Sequence, residues 1–475
     1  MRKWIVQWAV LACAWGFLPG VQSEAFSWRF IGLNALRDKK DLVVLQQVTG
    51  LPEFEGFRSN LAMRVAATLA KPLAQSGGDE AEIARLLTPL AADLAAFPTI
   101  YEHQSNIWIL AIQLPADRHE IWKGNWESIS KAGKTDGAKI AREGNWTLLG
   151  NGSTKAILEK TKKAADDVLQ MSGDASILGK LLPNLNPSKA ELRVAIQGKG
   201  LRSEGKMQFE KDLPFKLTKW EIPMHTICEP LVGFTAIQGV QDYLSHQPAF
   251  KNQTAPNQLF IWSELSTPFS TYMAAKVQDN KTFALKLTEN IDFKSMTNLN
   301  GSLEYDTNAH GLYLKGLPIF VPFVRPAHPD DAGFVQAGFI PMANFAKEGM
   351  PAELARELTS RTNLVYYDWE LGFGRLPQYH PINQAIAIAT DKPLPTLDAP
   401  ASKWLQAAQT NLQNSVTEVT KTAPRELTLV RRSDVGMSAL ELFEFVQWIA
   451  GPPVAGKRGA GKFAVPALPP SPKNP

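Results

Sequence analysis

The strongest constraint on the fold is a stretch in the middle of the chain where apolar and polar residues alternate. Leu192, Val194 and Ile196 alternate with polar or small residues, and Met207 and Phe209 do so in a second run after a glycine-containing segment. Because successive side chains of a strand point to opposite faces, each run has one apolar and one polar face. The stretch therefore predicts a β-hairpin with one face on a core and the other in solvent.

The segment after the hairpin, Trp220–Phe234, is predicted to connect two halves of the protein. His225 and Cys228 lie in it between Pro223 and Pro230. A cysteine beside a histidine can act as a nucleophile or, with that histidine, as a metal ligand. A lone cysteine next to apolar neighbours is more often a small buried residue, and this is the interpretation we favour for Cys228.

Patterns along the rest of the chain predict an α+β protein in which helices cover antiparallel sheets. The N-terminal half contains helical patterns, two strands, a helix, a strand, and a helix over residues 153–171. A strand-then-helix order in residues 107–127 returns in residues 259–289, which indicates two similar halves.

Further elements are predicted toward the C-terminus, including a helix over Trp404–Val419 and a strand over Glu426–Arg431. Residues 363–371 have the pattern of a strand, and residues 381–389 that of a short apolar helix. Ser438 followed three residues later by Glu441 is a capping box that opens a last apolar helix.

Proline-rich segments and composition changes divide the chain. The predicted parts are a signal peptide (residues 1–23), an N-terminal α+β domain (24–187), a second α+β domain that begins with the hairpin (188–398), a C-terminal helix–strand–helix unit packing on the second domain (399–450), and a disordered tail rich in proline, glycine and basic residues (451–475).

The N-terminus has the three parts of an export signal. Arg2 and Lys3 precede the apolar run Trp4–Leu18, and short residues then lead to a cleavage site between Ser23 and Glu24. The apolar run is short for a membrane span. We therefore expect an exported chain, periplasmic or secreted.

Three alternatives for the N-terminus stay open. Cleavage after Ala25 fits the same pattern. Cys13 ends a short sequence similar to a lipid-attachment box, which would make the protein a lipoprotein. The apolar run could also remain as an uncleaved membrane anchor.

Cysteine content and charge limit the partners. Cys13 leaves with the signal, so Cys228 is alone in the mature chain and no intramolecular disulfide is expected. The formal net charge is +4, and the segment 1–23 carries two of the basic residues and no acidic residue. With charge this balanced and no dense basic run, nucleic acid is not an expected partner.

Known cofactor and catalytic motifs are missing from the sequence. It contains no Gly-rich dinucleotide or phosphate loop, no nucleophile elbow, no HExxH and no CxxC pair. The seven histidines are scattered singly along the chain. Neither a cofactor nor a metal is therefore predicted.

A pair of carboxylates is the main catalytic candidate. Asp368 and Glu370 flank Trp369 on the predicted strand, so both project to one face, and Arg375 follows nearby. Two carboxylates beside aromatic residues can hydrolyse glycosides, and an arginine can keep one of them ionised. The simpler interpretation, which we favour, is a solvated strand face. Trp220, His225 and Trp369 are the candidate ligand-binding residues.

Four phrases of the sequence support a family resemblance. They are Trp220–Pro223 (WEIP), Glu229–Ala236 (EPLVGFTA), Leu364–Glu370 (LVYYDWE) and Arg425–Val430 (RELTLV). These phrases resemble a group of uncharacterised exported proteins from bacteria of the planctomycete and verrucomicrobial kind. The resemblance covers most of residues 90–450 and implies a bacterial origin, without an activity or catalytic residues. Separately, the hairpin sequence Leu201–Gly205 (LRSEG) is similar to lipoprotein-carrier half-barrels, whose curved sheet holds lipid.

Three functional hypotheses follow. The first is a non-catalytic binding or structural protein of the bacterial envelope, with an unknown partner such as envelope polysaccharide or lipid. The second is a carbohydrate-active hydrolase, which requires both carboxyls in one cleft beside an exposed aromatic ring. The third is a lipid carrier, which requires an apolar cavity under the hairpin sheet.

Overall fold

A computed structural model of the chain describes residues 25–74, 78–132, 137–161, 167–175, 185–251, 253–265, 267–290, 301–317, 320–341, 348–389 and 397–451. The predicted signal peptide and nearly all of the predicted tail lie outside these residues. Within them the chain forms an α+β protein, as predicted, with twelve helices and an 18-stranded antiparallel sheet.

The strands are numbered in chain order. They are β1 (Ala25–Phe30), β2 (Thr99–Gln104), β3 (Ile107–Gln113), β4 (Lys139–Glu143), β5 (Trp146–Gly150), β6 (Asp167–Asp174), β7 (Pro187–Gln197), β8 (Gly200–Phe209), β9 (Leu231–Gln238), β10 (Gln258–Glu264), β11 (Thr271–Lys276), β12 (Ser302–Asp306), β13 (Gly311–Lys315), β14 (Phe323–Pro326), β15 (Phe334–Gly338), β16 (Leu364–Leu371), β17 (Asn414–Ala423) and β18 (Glu426–Ser433).

The helices follow the same convention. They are α1 (Leu33–Arg37), α2 (Val43–Thr49), α3 (Phe54–Ala74), α4 (Glu80–Ala96), α5 (Ala116–Ala132), α6 (Thr154–Thr161), α7 (Gln241–Ser245), α8 (Asn280–Asn290), α9 (Ala352–Thr359), α10 (Gly372–Ala389), α11 (Pro400–Ala408) and α12 (Ala439–Ala450). Two 3₁₀ turns, Pro248–Phe250 and Gln409–Asn411, complete the regular structure of the described segments.

The pairing places the strands in one continuous path. From one edge to the other the order is β4-β5-β3-β2-β1-β6-β7-β8-β18-β17-β16-β9-β10-β11-β15-β14-β13-β12. All of these neighbours are antiparallel. Within the sheet, the strands of residues 25–209 and those of residues 231–433 therefore meet only where β8 pairs with β18.

This order repeats itself, which confirms the expectation of two similar halves. Read outward from β8, the strands are β8, β7, β6, β1, β2, β3, β5 and β4; read outward from β18, they are β18, β17, β16, β9, β10, β11, β15 and β14. When the strands of each half are counted in chain order, leaving out β12 and β13, each position holds the strand with the same number in both halves. The β12–β13 hairpin is an addition at the outer edge of the second half.

Corresponding helices occupy corresponding places. Trp122 and Ile129 of α5 pack with residues of β3 and β5 in the first half, and Phe283 and Leu287 of α8 pack with residues of the matching strands β11 and β15 in the second. On the opposite sheet face, Ile157 of α6 packs with Leu148 and neighbours. Leu358 of α9 occupies the matching position in the second half.

The two halves share one of the core clusters. The apolar face of the hairpin, with Val194 and Leu201, packs in a single cluster with Val48, Trp404 and Leu442. The Trp404 and Phe57 rings are 4.3 Å apart, and the Trp404 Nε1 donates to the Val48 carbonyl at 2.8 Å. The C-terminal unit, predicted to pack on the second domain, therefore packs on the first half as well. Its order is helix–strand–strand–helix and not helix–strand–helix, because the helix predicted over residues 404–419 ends at Ala408 and β17 follows it.

The central hairpin has the predicted alternation. Val194 pairs with Ser203 on the buried face of the sheet, whereas Glu191 pairs with Lys206 on the exposed face. The hairpin pairs with β6 on one edge and β18 on the other. The predicted boundary between residues 187 and 188 therefore lies within continuous sheet, and the strand order places the hairpin at the end of the first half.

Two predicted helices have different bounds. The helix predicted over residues 153–171 ends at Thr161, and β6 occupies residues 167–174. A register shift between Asp167 and Leu169 breaks the two-residue alternation of this strand, so its apolar spacing is similar to that of a helix. The helix predicted at 381–389 begins earlier, at Gly372, and accommodates two internal prolines.

Candidate functional site

The predicted carboxylate pair lies on β16, between β9 and β17. Asp368 and Glu370 project to the same face, as predicted, but they are only 6% and 5% exposed. The interpretation of this face as solvated is therefore wrong. α10 and α12 cover it, and the sequence of the strand alone carries no information about that cover.

Glu370 is held by two donors. The Tyr379 hydroxyl donates to its Oε1 at 2.5 Å, and the backbone N–H of Ala439, at the start of α12, donates to its Oε2 at 2.9 Å. Asp368 accepts a 2.6 Å hydrogen bond from the Thr235 hydroxyl on the neighbouring strand. Both carboxylates are thus engaged by groups that belong to the fold.

Arg375 lies beside the pair, but Tyr379 connects it to Glu370. Its Nε donates to the Tyr379 hydroxyl at 3.1 Å, and its guanidinium carbon lies 4.6 Å from the centroid of the Tyr379 ring. The Arg375 Nη1 donates to Thr271 at 3.0 Å and to Gln378 at 2.7 Å. The arginine therefore attaches α10 to the sheet.

A buried ion pair, Arg431 with Glu441, continues the network. The Arg431 guanidinium reaches Glu441 at 2.5 and 2.8 Å, and its Nε donates to Thr417 at 2.9 Å. Burial raises the pKa of Glu441, against the opposing effect of the Arg431 charge. Glu441 also completes the predicted capping box with Ser438, which is confirmed.

The surroundings of Asp368 and Glu370 do not provide the open cleft that glycoside hydrolysis requires. A substrate would have to reach both carboxyls, yet their oxygens contact Tyr379, Thr235 and the first turn of α12. Trp369, the predicted aromatic neighbour, projects to the other face and packs against the second-half core. The arrangement instead clamps helices onto a sheet, as satisfied buried polar networks do.

Two other candidates are core residues. Trp220 is 4% exposed, and its ring meets Phe260 edge-to-face at 5.9 Å. Cys228 is fully buried in the same cluster as Trp220 and Ile227, which confirms its interpretation as a small apolar residue. Trp220 is therefore an anchor of the connector, not a binding residue.

His225 is different, because its side chain is 56% exposed. It stacks on His328, with ring centroids 5.5 Å apart and planes at 24°. One donor atom from each of His225, His328 and Asp330 lies within 4.8 Å of the others. Among the residues that the structure describes, these three form the group that could hold a metal ion.

A buried carboxylate organises this group. Asp331 accepts from the backbone N–H of His225 at 3.0 Å, and from the N–H and hydroxyl of Thr226 at 2.7 and 2.6 Å. Its other oxygen lies 3.4 Å from the His225 Nδ1. Asp331 therefore holds the connector against the β14–β15 loop. The histidine spacing could not reveal this group, since more than 100 residues separate its two parts.

The structure also bears on the lipid-carrier hypothesis. The apolar face of the hairpin is filled by side chains of α2, α11 and α12. A cleft of about 820 Å³ lies elsewhere, beside α8. Its lining is mainly polar and charged: Ser245, Phe250, Lys251, Gln253, Thr254, Val277, Gln278, Asp279, Phe283 and Lys286. This cleft is not the apolar cavity under the hairpin that a carrier requires.

Comparison with known proteins adds little. No family model and no curated protein matches the chain. A solved structure, crystal form I of TP0453, is similar at 8% sequence identity and a TM-score of 0.26, covering 50% of this chain and 100% of that one. A similarity this low carries no argument about function. Among the helices of the described segments, none has both the length and the apolar character needed to cross a membrane.

Proposed function

We propose that the protein acts outside the cytosol as a non-catalytic binding or structural protein of the bacterial envelope. The observation that supports this proposal is the burial of the acidic pair within the fold. Asp368 and Glu370, the best catalytic candidates of the sequence, are both buried. Glu370 fixes α10 and α12 on the sheet, and Asp368 is bound by Thr235 of the neighbouring strand. The residues 1–23 support export, since they have the pattern of a signal peptide.

The surface best suited to binding is the exposed side of the central strands, where the two halves join. We call it the central polar face; its exposed members are Lys189, Glu191, Arg193, Glu204, Lys206, Gln208 and Arg432. Opposite charges alternate on it, with Lys189–Glu191 at 2.6 Å and Lys206–Glu426 at 2.7 Å. A broad polar face of mixed charge favours a hydrated partner such as an envelope polysaccharide over an apolar ligand.

Fractionation and co-sedimentation test the two parts of the proposal. In a Gram-negative host, the chain is expected outside the cytosol with Glu24 or Ala25 at its N-terminus; a full-length chain in the cytosol would contradict export. The purified mature chain is expected to sediment with isolated cell-wall polysaccharide. A triple variant, Arg193→Ala, Glu204→Ala and Lys206→Ala, should bind at least about fivefold more weakly, a loss of about 1 kcal/mol.

The matched control changes three exposed charges on α3 and α4, helices that pack on the opposite, apolar face of the sheet: Glu55→Ala, Glu82→Ala and Arg85→Ala. It should sediment like the wild type. Equal binding by both triple variants would exclude the central polar face, and a mature chain that stays in solution with every envelope fraction would end the binding proposal.

A further inference from the structure

We propose that His225, His328 and Asp330 form a surface site for a divalent transition-metal ion of the zinc, nickel or copper type. The connector between the two halves supplies His225, and the β14–β15 loop supplies the other two residues. Their donor atoms already lie within 4.8 Å of one another.

The donor set selects the class of ion. Imidazole nitrogen suits zinc, copper and nickel, whereas magnesium and calcium prefer oxygen ligands only. Two imidazoles and one carboxylate are the protein ligands of several three-ligand zinc sites, in which water or another group takes the fourth position. The adjacent Asp330 and Asp331 carboxylates add negative charge that favours a cation.

The three donor atoms must move slightly closer together to bind one ion. Zinc bonds of about 2.0–2.2 Å place neighbouring ligand atoms roughly 3.5 Å apart, so donors within 4.8 Å must approach by about 1 Å. The side chains of His225 and Asp330 are 56% and 65% exposed, and can rotate at little cost. His328, whose side chain is 22% exposed, is the more constrained member.

Hydrogen bonds outside the donor set hold the two segments in place. The Thr226 hydroxyl donates to Asp331 at 2.6 Å and accepts from the His328 N–H at 3.1 Å. The Asp331 carboxylate also faces the Nδ1 of His225 at 3.4 Å. A carboxylate behind a histidine orients the ring and directs its other nitrogen toward a metal, an arrangement common around metal sites.

Titration of the tag-free mature chain with Zn²⁺, in competition with a chromophoric chelator, tests the site. We expect one ion per chain, and at least about tenfold weaker binding in each of His225→Gln, His328→Gln and Asp330→Asn. The matched control is His246→Gln, an exposed histidine on another loop, which should bind like the wild type. Mg²⁺ at millimolar concentration should not compete.

X-ray absorption at the zinc edge provides a readout that does not depend on the variants. The bound ion should show nitrogen and oxygen neighbours with imidazole scattering and no sulfur, because Cys228 is buried outside the donor set. Any of three results would overturn the proposal: no binding at about 100 µM Zn²⁺, unchanged affinity in all three variants, or a zinc–sulfur distance in the spectrum.

Discussion

The buried pair of Arg431 and Glu441 offers the sharpest test of how this fold is held together. Arg431→Met removes both contacts to Glu441 and the one to Thr417. Both charged residues are only 4% exposed, so the carboxylate would remain buried without its partner. Breaking a buried pair from one side costs about 3–5 kcal/mol, and we expect the free energy of unfolding to fall by that amount.

A double variant separates the lost charge from the lost packing. Glu441→Gln removes the negative charge, while its amide oxygen can still accept from the Ser438 N–H in the capping box. Arg431→Met combined with Glu441→Gln should therefore recover about half of the loss or more. The matched surface pair, Arg85 with Glu82, is 57% and 47% exposed, and Arg85→Met should change stability by no more than about 0.5 kcal/mol.

The stability of Arg431→Met should also depend on pH more strongly than that of the wild type, and the sign of this dependence can be predicted. Burial already raises the pKa of Glu441, and loss of the Arg431 charge removes an effect that lowers it. A carboxyl whose folded pKa exceeds its unfolded pKa binds protons preferentially in the folded state, so stability falls as pH rises through the folded pKa. Arg431→Met should thus be less destabilised at pH 5 than at pH 8, and Glu441→Gln should abolish the difference.

Urea unfolding followed by circular dichroism and tryptophan fluorescence measures these changes. The slope against urea should stay constant, since the variants do not change how much surface unfolding exposes. A loss below about 1 kcal/mol in Arg431→Met would refute the reasoning, as would a double variant no more stable than the single one.

Further predictions concern core packing, a buried phenol and two glycines. Trp220→Ala should lower the free energy of unfolding by about 3–5 kcal/mol, whereas Tyr243→Ala, at a position 66% exposed, should change it little; similar costs would contradict the buried connector. Burial raises the pKa of Tyr367 to about 12, so stability should fall as pH rises from about 10, the unfolded value, toward 12. Tyr367→Phe should remove that late step from the near-ultraviolet absorbance titration, and a spectrum unchanged by the substitution would count against it. Gly32→Ala should destabilise by roughly 1–3 kcal/mol, because Gly32 has φ +85° and a Cβ there would lie 2.6 Å from the Ala96 carbonyl oxygen. Gly124→Ala, in a helix with nothing near the new Cβ, should stabilise by about 0.5–1 kcal/mol; thermal unfolding of the two variants in opposite directions is the check.

Local patterns in the sequence were sufficient for the elements with regular periodicity. The alternation around Val194 predicted the hairpin, and Ser438 with Glu441 predicted the start of α12. These features depend on side-chain spacing within one element, which the sequence contains in full. The start of β6 was predicted as helix because a register shift disturbs the alternation of its side chains, so the local spacing no longer identified a strand.

The candidate sites depended on contacts between distant parts of the chain. The spacing of Asp368 and Glu370 placed both on one face of a strand, but whether water or helices cover that face depends on α10 and α12. His225 was a candidate from the start, yet its partners His328 and Asp330 are more than 100 residues away. The sequence by itself determined the α+β class, the hairpin and the helix cap, because each follows from short-range spacing. Only the tertiary structure decided the matching order of the two halves, the burial of the acid pair and the histidine cluster, because strand pairing and loop packing bring together residues whose separation along the chain carries no signal.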